Sequence, residues 1–255
     1  MGYRALITGA SAGLGTEFAR QLAARGIDLV LVARDAARLE RLAHVLRSRY
    51  GVDVEVLPAD LTEKAALDAV AARLADPERH IDILINNAGF GVYEGFEASS
   101  LADERRLHEL LSWAPLRLAH AAVPGMLARG EGWILNVASA AALMPSGTYG
   151  AAKSAIVSLS RSLNARYRAR GVRVTALCPG LVATEFHERM GEDHLPDLPR
   201  IAWADAGRVV SDGLRAVYAG KPMRVADWRY RLARPLISVL PDRLLERLGS
   251  TGAGR

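Results

Sequence analysis

The stretch Thr8-Gly9-Ala10-Ser11-Ala12-Gly13-Leu14-Gly15 follows an apolar run at 5–8 and leads into a helix-like segment at 16–25. A short apolar run predicts a buried strand, and glycines at its end let the backbone turn tightly into a helix. The unpaired N–H groups at such a helix start favour an anion, and missing side chains let a pyrophosphate approach. The glycines stand at 9, 13 and 15, so their spacing departs from G-x-G-x-x-G. On these residues alone, a strand-to-helix turn that binds nothing is the alternative.

Outward from this loop, apolar runs recur at 29–32, 52–57, 81–85, 133–137 and 172–177. None has an alternating polar face, so each predicts a strand buried on both sides. Helix-like segments at 16–25, 36–49, 63–75, 101–128 and 154–170 separate them and are long enough for the crossovers of parallel strands. The expected fold class is α/β, with a doubly wound parallel sheet between two helical layers. Beyond Pro179 the pattern gives way to a polar, proline-bearing segment at 187–200 and a helix at 205–219. The expected organisation is one domain over 1–255: a core over 1–180, a substrate lid and helix over 181–220, and a tail over 221–255. The 187–200 segment reads equally as a lid or as a surface loop. Arginines alternate with apolar residues over 228–248, interrupted by Pro235 and Pro241. Docking on its own domain or in a subunit contact is the expected use of that tail, with a membrane surface as the alternative.

The 255 residues are half hydrophobic and a quarter charged, which excludes disordered and repeat classes. The net charge of +5 is spread along helices that also carry acids, so solvated faces are expected and no nucleic acid partner. Cys178 is the only cysteine, so no disulfide can form within the chain. A buried core thiol and a reducing, cytoplasmic setting are expected. The start of the chain leaves no room for a secretory leader, no stretch is apolar enough to span a membrane, and no ligand spacing demands a metal.

In Tyr149-Gly150-Ala151-Ala152-Lys153, the phenol and the ammonium stand four apart and share one helix face. A cation near a phenol stabilises its phenolate, which makes Tyr149 a candidate acid/base. On an ordinary solvated helix the same pair is structural. Ser139, just past the run at 133–137, places a hydroxyl where it could bind a substrate oxygen or cap a turn.

Taken in order, Thr8–Gly15, Asp60, Asn86-Asn87-Ala88-Gly89, Ser139, Tyr149/Lys153 and Pro179-Gly180 with Thr184 resemble the short-chain dehydrogenase/reductase family over residues 4 to about 220. The resemblance implies a Rossmann-type fold and catalytic roles for Ser139, Tyr149 and Lys153. Ser139 would stabilise the substrate oxygen and Tyr149 would transfer its proton. Lys153 would bind the nicotinamide ribose and lower the phenol's pKa. It also implies cofactor contacts from Gly9, Ser11, Gly13, Leu14 and Gly15, from Asp60 and Leu61 beside the adenine, and from Asn87, Ala88 and Gly89. Pro179, Gly180, Val182 and Thr184 would hold the nicotinamide end. Asp60 could instead cap the helix near Thr62, and the asparagines could only satisfy turn backbone.

The second strand ends Val32-Ala33-Arg34, with Ala33 where an NAD-type acid would stand. Arg34 offers paired donors to a 2′-phosphate, with Arg38 one turn on, so NADP(H) is the expected cofactor. Asp35 is expected as a helix cap. Two features break the family pattern. Leu111, followed by Ser112, stands where the family has a catalytic asparagine, and the approach from Ser139 to Tyr149 is shorter than usual, which puts their register at issue.

The expected reaction is reversible carbonyl reduction on a hydrophobic small molecule, with Phe90, Tyr93, Leu143, Met144, Phe186 and Met190 as pocket candidates that also suit a core. An NADP-binding regulatory or scaffold protein with a slow or inactive site is the alternative. The resemblance implies a homodimer or homotetramer through the helices at 101–128 and 154–170.

Overall fold

The computed structural model describes residues 2–91, 96–182, 203–227, 229, 240 and 241. Tyr93, Thr184, Phe186, Met190, the 187–200 segment and nearly all of the 228–248 tail lie outside the described residues.

Seven strands form one sheet: β1 Arg4–Thr8, β2 Asp28–Ala33, β3 Val54–Pro58, β4 Ile83–Asn86, β5 Gly132–Val137, β6 Val172–Cys178 and β7 Met223–Val225. Their order is β3-β2-β1-β4-β5-β6-β7, and every pair is parallel. Successive residues on a strand face opposite sides, and here both sides are dry. Ala5 and Ile7, Leu29 and Leu31, and Ile83 and Ile85 pack with α1 Gly13–Ala23, α2 Ala36–Tyr50 and α7 Ala206–Tyr218. Leu6, Val30, Val32 and Leu84 pack on the other side with α3 Lys64–Ala75 and α5 Ala114–Arg129. The expected doubly wound α/β sheet is present. Cys178 is buried, as expected.

Three elements depart from expectation. β7 was not foreseen: three residues after Lys221-Pro222 are too short to carry a periodic signal, and only pairing with Ala176–Cys178 makes them a strand. The segment expected as one helix at 101–128 is α4 Leu101–His108, then a π-helical turn at Glu109–Trp113, then α5. Pro115 explains the turn. It has no N–H to give the carbonyl of Leu111 four residues back, and its ring crowds that carbonyl, so the chain widens to the i+5 pattern shown by Ala114 N–H bonded to Glu109 O. The final long helix, α6 Gly147–Tyr167, starts seven residues earlier than the 154–170 segment and so carries Tyr149 and Lys153 in its first two turns.

Candidate active site

The functional candidates gather at the carboxyl ends of the parallel strands, where an open α/β sheet leaves its crevice. Close approach dictates the glycines of the first loop. A side chain on Gly15 would begin 2.0 Å from the Gly9 carbonyl oxygen, and one on Gly9, whose φ is +65°, would begin 2.8 Å from Ala88 Cα. Ala12, the residue before α1, gives no side-chain cap, so the first N–H groups of that helix have no such partner and face the crevice end. This cradle fits the diphosphate of a nicotinamide dinucleotide: backbone donors, positive helix end and no side chains in the way.

Asn87 sews that loop to β4. Its amide donates to the carbonyls of Thr8 at 3.0 Å and Gly9 at 3.2 Å, while the Thr8 hydroxyl accepts from the N–H groups of Asn87 and Ala88. Asn86 turns the other way, into the core, donating to the Asn136 amide oxygen at 2.8 Å. Leu61 is buried in the sheet's α3 face. Asp60 does not cap α3, which starts after Glu63; its Oδ1 instead accepts from the backbone and hydroxyl of Thr62. Burial pushes the Asp60 carboxyl up, but the Thr62 bonds and the charges of Arg34 and Arg106 outweigh it and hold the group below its ordinary value. Asp35 caps α2 through a 2.9 Å bond from the Arg38 N–H, and the Arg38 side chain lies 3.8 Å from the same carboxylate. At the far end, the Pro179 carbonyl accepts from Ala140 N–H, Gly180 is partly buried, and Val182 is buried and bridges to Ala204.

Ser139, Tyr149 and Lys153 meet. Ser139 leads β5 into a 3₁₀ turn at Ala140–Leu143, capping it by accepting from Ala141 N–H at 3.1 Å. That compact turn absorbs the short approach and leaves the Ser139 hydroxyl near enough to the Tyr149 phenol to favour its ionised form, so the two residues are in register. Burial has the larger effect and pushes the phenol up to about 12. Lys153 lies beneath, almost fully buried, with Nζ donating to the Val137 carbonyl at 2.8 Å and standing 5.8 Å from the Tyr149 ring centroid. Burial brings its ammonium down to about 8, with the neighbouring Cys178 acting in the opposite direction. In this arrangement burial has the largest effect on the phenol, which already holds its proton at neutral pH and is moved further toward the protonated form.

Leu111 fills the place of the family's asparagine. Its side chain packs with Phe90, Leu107, Tyr149 and Ala152, and its Cδ2 lies 3.0 Å from where a Gly89 side chain would begin. Ser112, next along the turn, donates to the Ala152 carbonyl at 3.3 Å and so fastens the π turn to α6. Leu143, partly buried, packs beside Ala138 and Val157, and Met144 is partly buried at the end of the 3₁₀ turn. Sequence reasoning missed two participants: the Val137 carbonyl, which no side-chain pattern can reveal, and Arg106, whose position opposite Asp60 depends on how α4 folds over the sheet. Among the described residues no cluster suits a metal ion, and no helix is long and apolar enough to cross a membrane.

Residues 3–195 match the short chain dehydrogenase family. A short-chain dehydrogenase from Sphingobium yanoikuyae, solved in complex with NADPH, is 36% identical, with a TM-score of 0.84 over 94% of this chain and 96% of that one. The bulky-bulky ketone specific alcohol dehydrogenase of Comamonas testosteroni is 32% identical, with a TM-score of 0.79 over 94% and 95% of the two chains. Galactitol 2-dehydrogenase (L-tagatose-forming) of Cereibacter sphaeroides is 33% identical over 94% of this chain and 91% of its own length. With a Rossmann-type sheet ordered 3-2-1-4-5-6-7 and a matching sequence over most of its length, the chain belongs to the short-chain dehydrogenase family and is an oxidoreductase that works with a nicotinamide cofactor.

Proposed function

We propose that the protein is an NADP(H)-dependent reductase of hydrophobic ketones or aldehydes, with Tyr149 as the proton donor. The observation that carries this reading is a buried phenol, neutral at physiological pH, that meets the Ser139 hydroxyl and has the Lys153 ammonium 5.8 Å from its ring centroid. A general acid must hold its proton at the working pH and stand within hydrogen-bond reach of the oxygen it serves. The bound nicotinamide supplies the hydride that reduces the carbonyl carbon. Ser139 and Tyr149 together hold the carbonyl oxygen, and as charge develops there Tyr149 releases its proton to it. Lys153 then faces the phenolate left behind, an opposite charge that stabilises it. Thr184, outside the described residues, is assigned with Pro179, Gly180 and Val182 to the nicotinamide end. Gly9, Ser11, Gly13, Leu14 and Gly15 are assigned to the diphosphate, Asp60 and Leu61 to the adenine, and Asn87, Ala88 and Gly89 to the floor of the cleft.

The preference for NADP(H) is supported by Arg34 directly after β2, by Ala33 in place of an acid, and by Asp35 being engaged as a cap. The NADPH-bound relative accords with it. Phe90 and Leu111 make an apolar wall beside Tyr149, which favours a substrate with few charges. A groove along the exposed faces of the π turn and α6 is bounded by Trp113, Leu116, Ile156 and Leu159, with Trp113 54% exposed; it is the surface we assign to a homo-oligomer contact. The lone buried thiol suits a cytoplasmic setting. The deciding assay is oxidation of NADPH by a panel of ketones and aldehydes, with Tyr149→Phe alongside. Turnover by the parent and a loss of about 10²-fold or more in the variant support the reading. Cofactor binding with no Tyr149-dependent turnover replaces it with a binding protein.

A further inference from the structure

Two arginines from separate elements approach one carboxylate oxygen. Asp60 spends Oδ1 on Thr62, whose backbone N–H and hydroxyl lie at 3.0 and 2.7 Å. Its free oxygen, Oδ2, stands 3.8 Å from Arg34 Nη1 and 3.7 Å from Arg106 Nη2. Arg34 follows β2, whereas Arg106 comes from α4, so the two cations belong to separate elements that converge only at Asp60. Both contacts are longer than a hydrogen bond, and the arginine side chains are 66% and 49% exposed. Asp60 therefore restrains Arg34 without locking it.

We propose that Arg106 is a specificity-determining residue that takes over the charge of Asp60 when Arg34 turns to the cofactor's 2′-phosphate. This rests on the assignment of Arg34 above. Without a second cation, each step that moves Arg34 toward the phosphate leaves a carboxylate uncompensated beside a dianion. The repulsion falls on NADP(H) alone, because NAD(H) has no 2′-phosphate to draw Arg34 away. Arg106 removes that penalty while making no contact with the phosphate itself. Its effect must then appear in the ratio of the two affinities and must weaken with salt, since the groups are solvent-facing.

Dissociation constants for NADPH and NADH, measured with the full chain at low and at high ionic strength, test this. Arg106→Ala is expected to weaken NADPH about two- to fivefold at low salt and NADH hardly at all, with the difference shrinking at high salt. Arg106→Lys retains most of the NADPH affinity. Arg105→Ala removes the same charge one residue away, from a side chain paired with Glu109, and controls for net charge; it leaves the ratio unchanged. Equal loss for both cofactors in Arg106→Ala, or no loss for either, overturns the inference. Arg34→Ala separates the two claims. If it lowers NADPH affinity selectively while Arg106→Ala does not, only the Arg106 inference fails. If Arg34→Ala affects both cofactors equally, the Arg34 assignment fails and the role of Arg106 falls with it.

Discussion

The Lys153 Nζ donates to the carbonyl oxygen of Val137 at 2.8 Å, joining the second turn of α6 to the last residue of β5. The same burial that makes this bond short of competitors also penalises the charge, and the ammonium is brought down from 10.5 to about 8. Between pH 8 and about 10.5 the unfolded chain therefore binds more protons at this site than the folded one. The group's contribution to stability rises with pH through that window and is least favourable below pH 8.

An anionic cofactor next to Lys153 favours the charged form and raises its pKa again. Binding near pH 8.5 is then accompanied by proton uptake, and affinity declines as pH rises above 8. Calorimetric titrations of NADPH in two buffers of different ionisation enthalpy measure the uptake directly. A fraction of a proton per cofactor is expected at pH 8.5 and close to none at pH 6.5. Lys153→Gln should abolish the uptake, and a parent protein showing none at pH 8.5 contradicts the assignment of Lys153 to the cofactor site.

The Ser139 hydroxyl accepts from the Ala141 N–H, which shapes the 3₁₀ turn, and its influence on the Tyr149 phenol opposes the effect of burial. Ser139→Ala removes both a donor to the reacting oxygen and a hydroxyl that favours the phenolate. A fall of about 10²–10³-fold in kcat is expected, and the Tyr149 limb of the pH profile should move upward. Unchanged kcat with only a raised KM would mean that Ser139 binds substrate without serving the transition state.

Much of the fold is legible because the sheet is dry on both sides. Continuous runs such as Leu29–Leu31 and Ile83–Ile85 state their strand character within the run itself, and both sides of each are buried. β7 is not legible in this way, since Met223-Arg224-Val225 is a strand only by virtue of its neighbour. The catalytic trio is legible through motif order, whereas its register was not. Whether a shortened approach keeps Ser139 on Tyr149 depends on the coiling of Ala140–Leu143, a choice of backbone turn that four small or apolar residues leave open. The π turn did have a signal, Pro115 placed four residues after Leu111.

That signal makes a prediction about Pro115 itself. Pro115→Ala supplies an N–H to the Leu111 carbonyl and removes the ring that crowds it, so an ordinary α-helical path becomes available. Closing the wider turn would rotate Leu111 and Ser112 away from Gly89, Ala152 and Tyr149. The expected outcome is stability lowered by about 1 kcal/mol or more, through a freer unfolded chain and the lost contacts of Leu111 and Ser112, with kcat reduced several-fold. Denaturant midpoints and steady-state rates check it; full activity in a variant of equal stability would show that the turn is not needed by the site.

Beneath the site, the Asn136 amide spans two elements, accepting from Asn86 at 2.8 Å on β4 and donating to the Ser160 hydroxyl at 2.8 Å on α6. All three side chains are buried, and the Asn86 Oδ1 has no partner among the described residues. Asn136→Leu keeps the volume close but strands the Asn86 amide, which then has only the Pro115 carbonyl at 3.4 Å. Leaving a buried donor unpaired costs about 1–3 kcal/mol, and the misfit of a branched side chain in a close-packed site adds to it. A loss of about 2–4 kcal/mol is therefore expected for Asn136→Leu. Ser160→Ala should cost less, because Ser160 already donates to the Ile156 carbonyl within its own helix at 2.7 Å and its removal strands only one amide hydrogen of Asn136. Urea unfolding of the two variants measures the difference. If Asn136→Leu proves as stable as the parent, the polar chain is not what ties β4, β5 and α6 together, and the apolar packing around it suffices to hold Tyr149 and Lys153 in place.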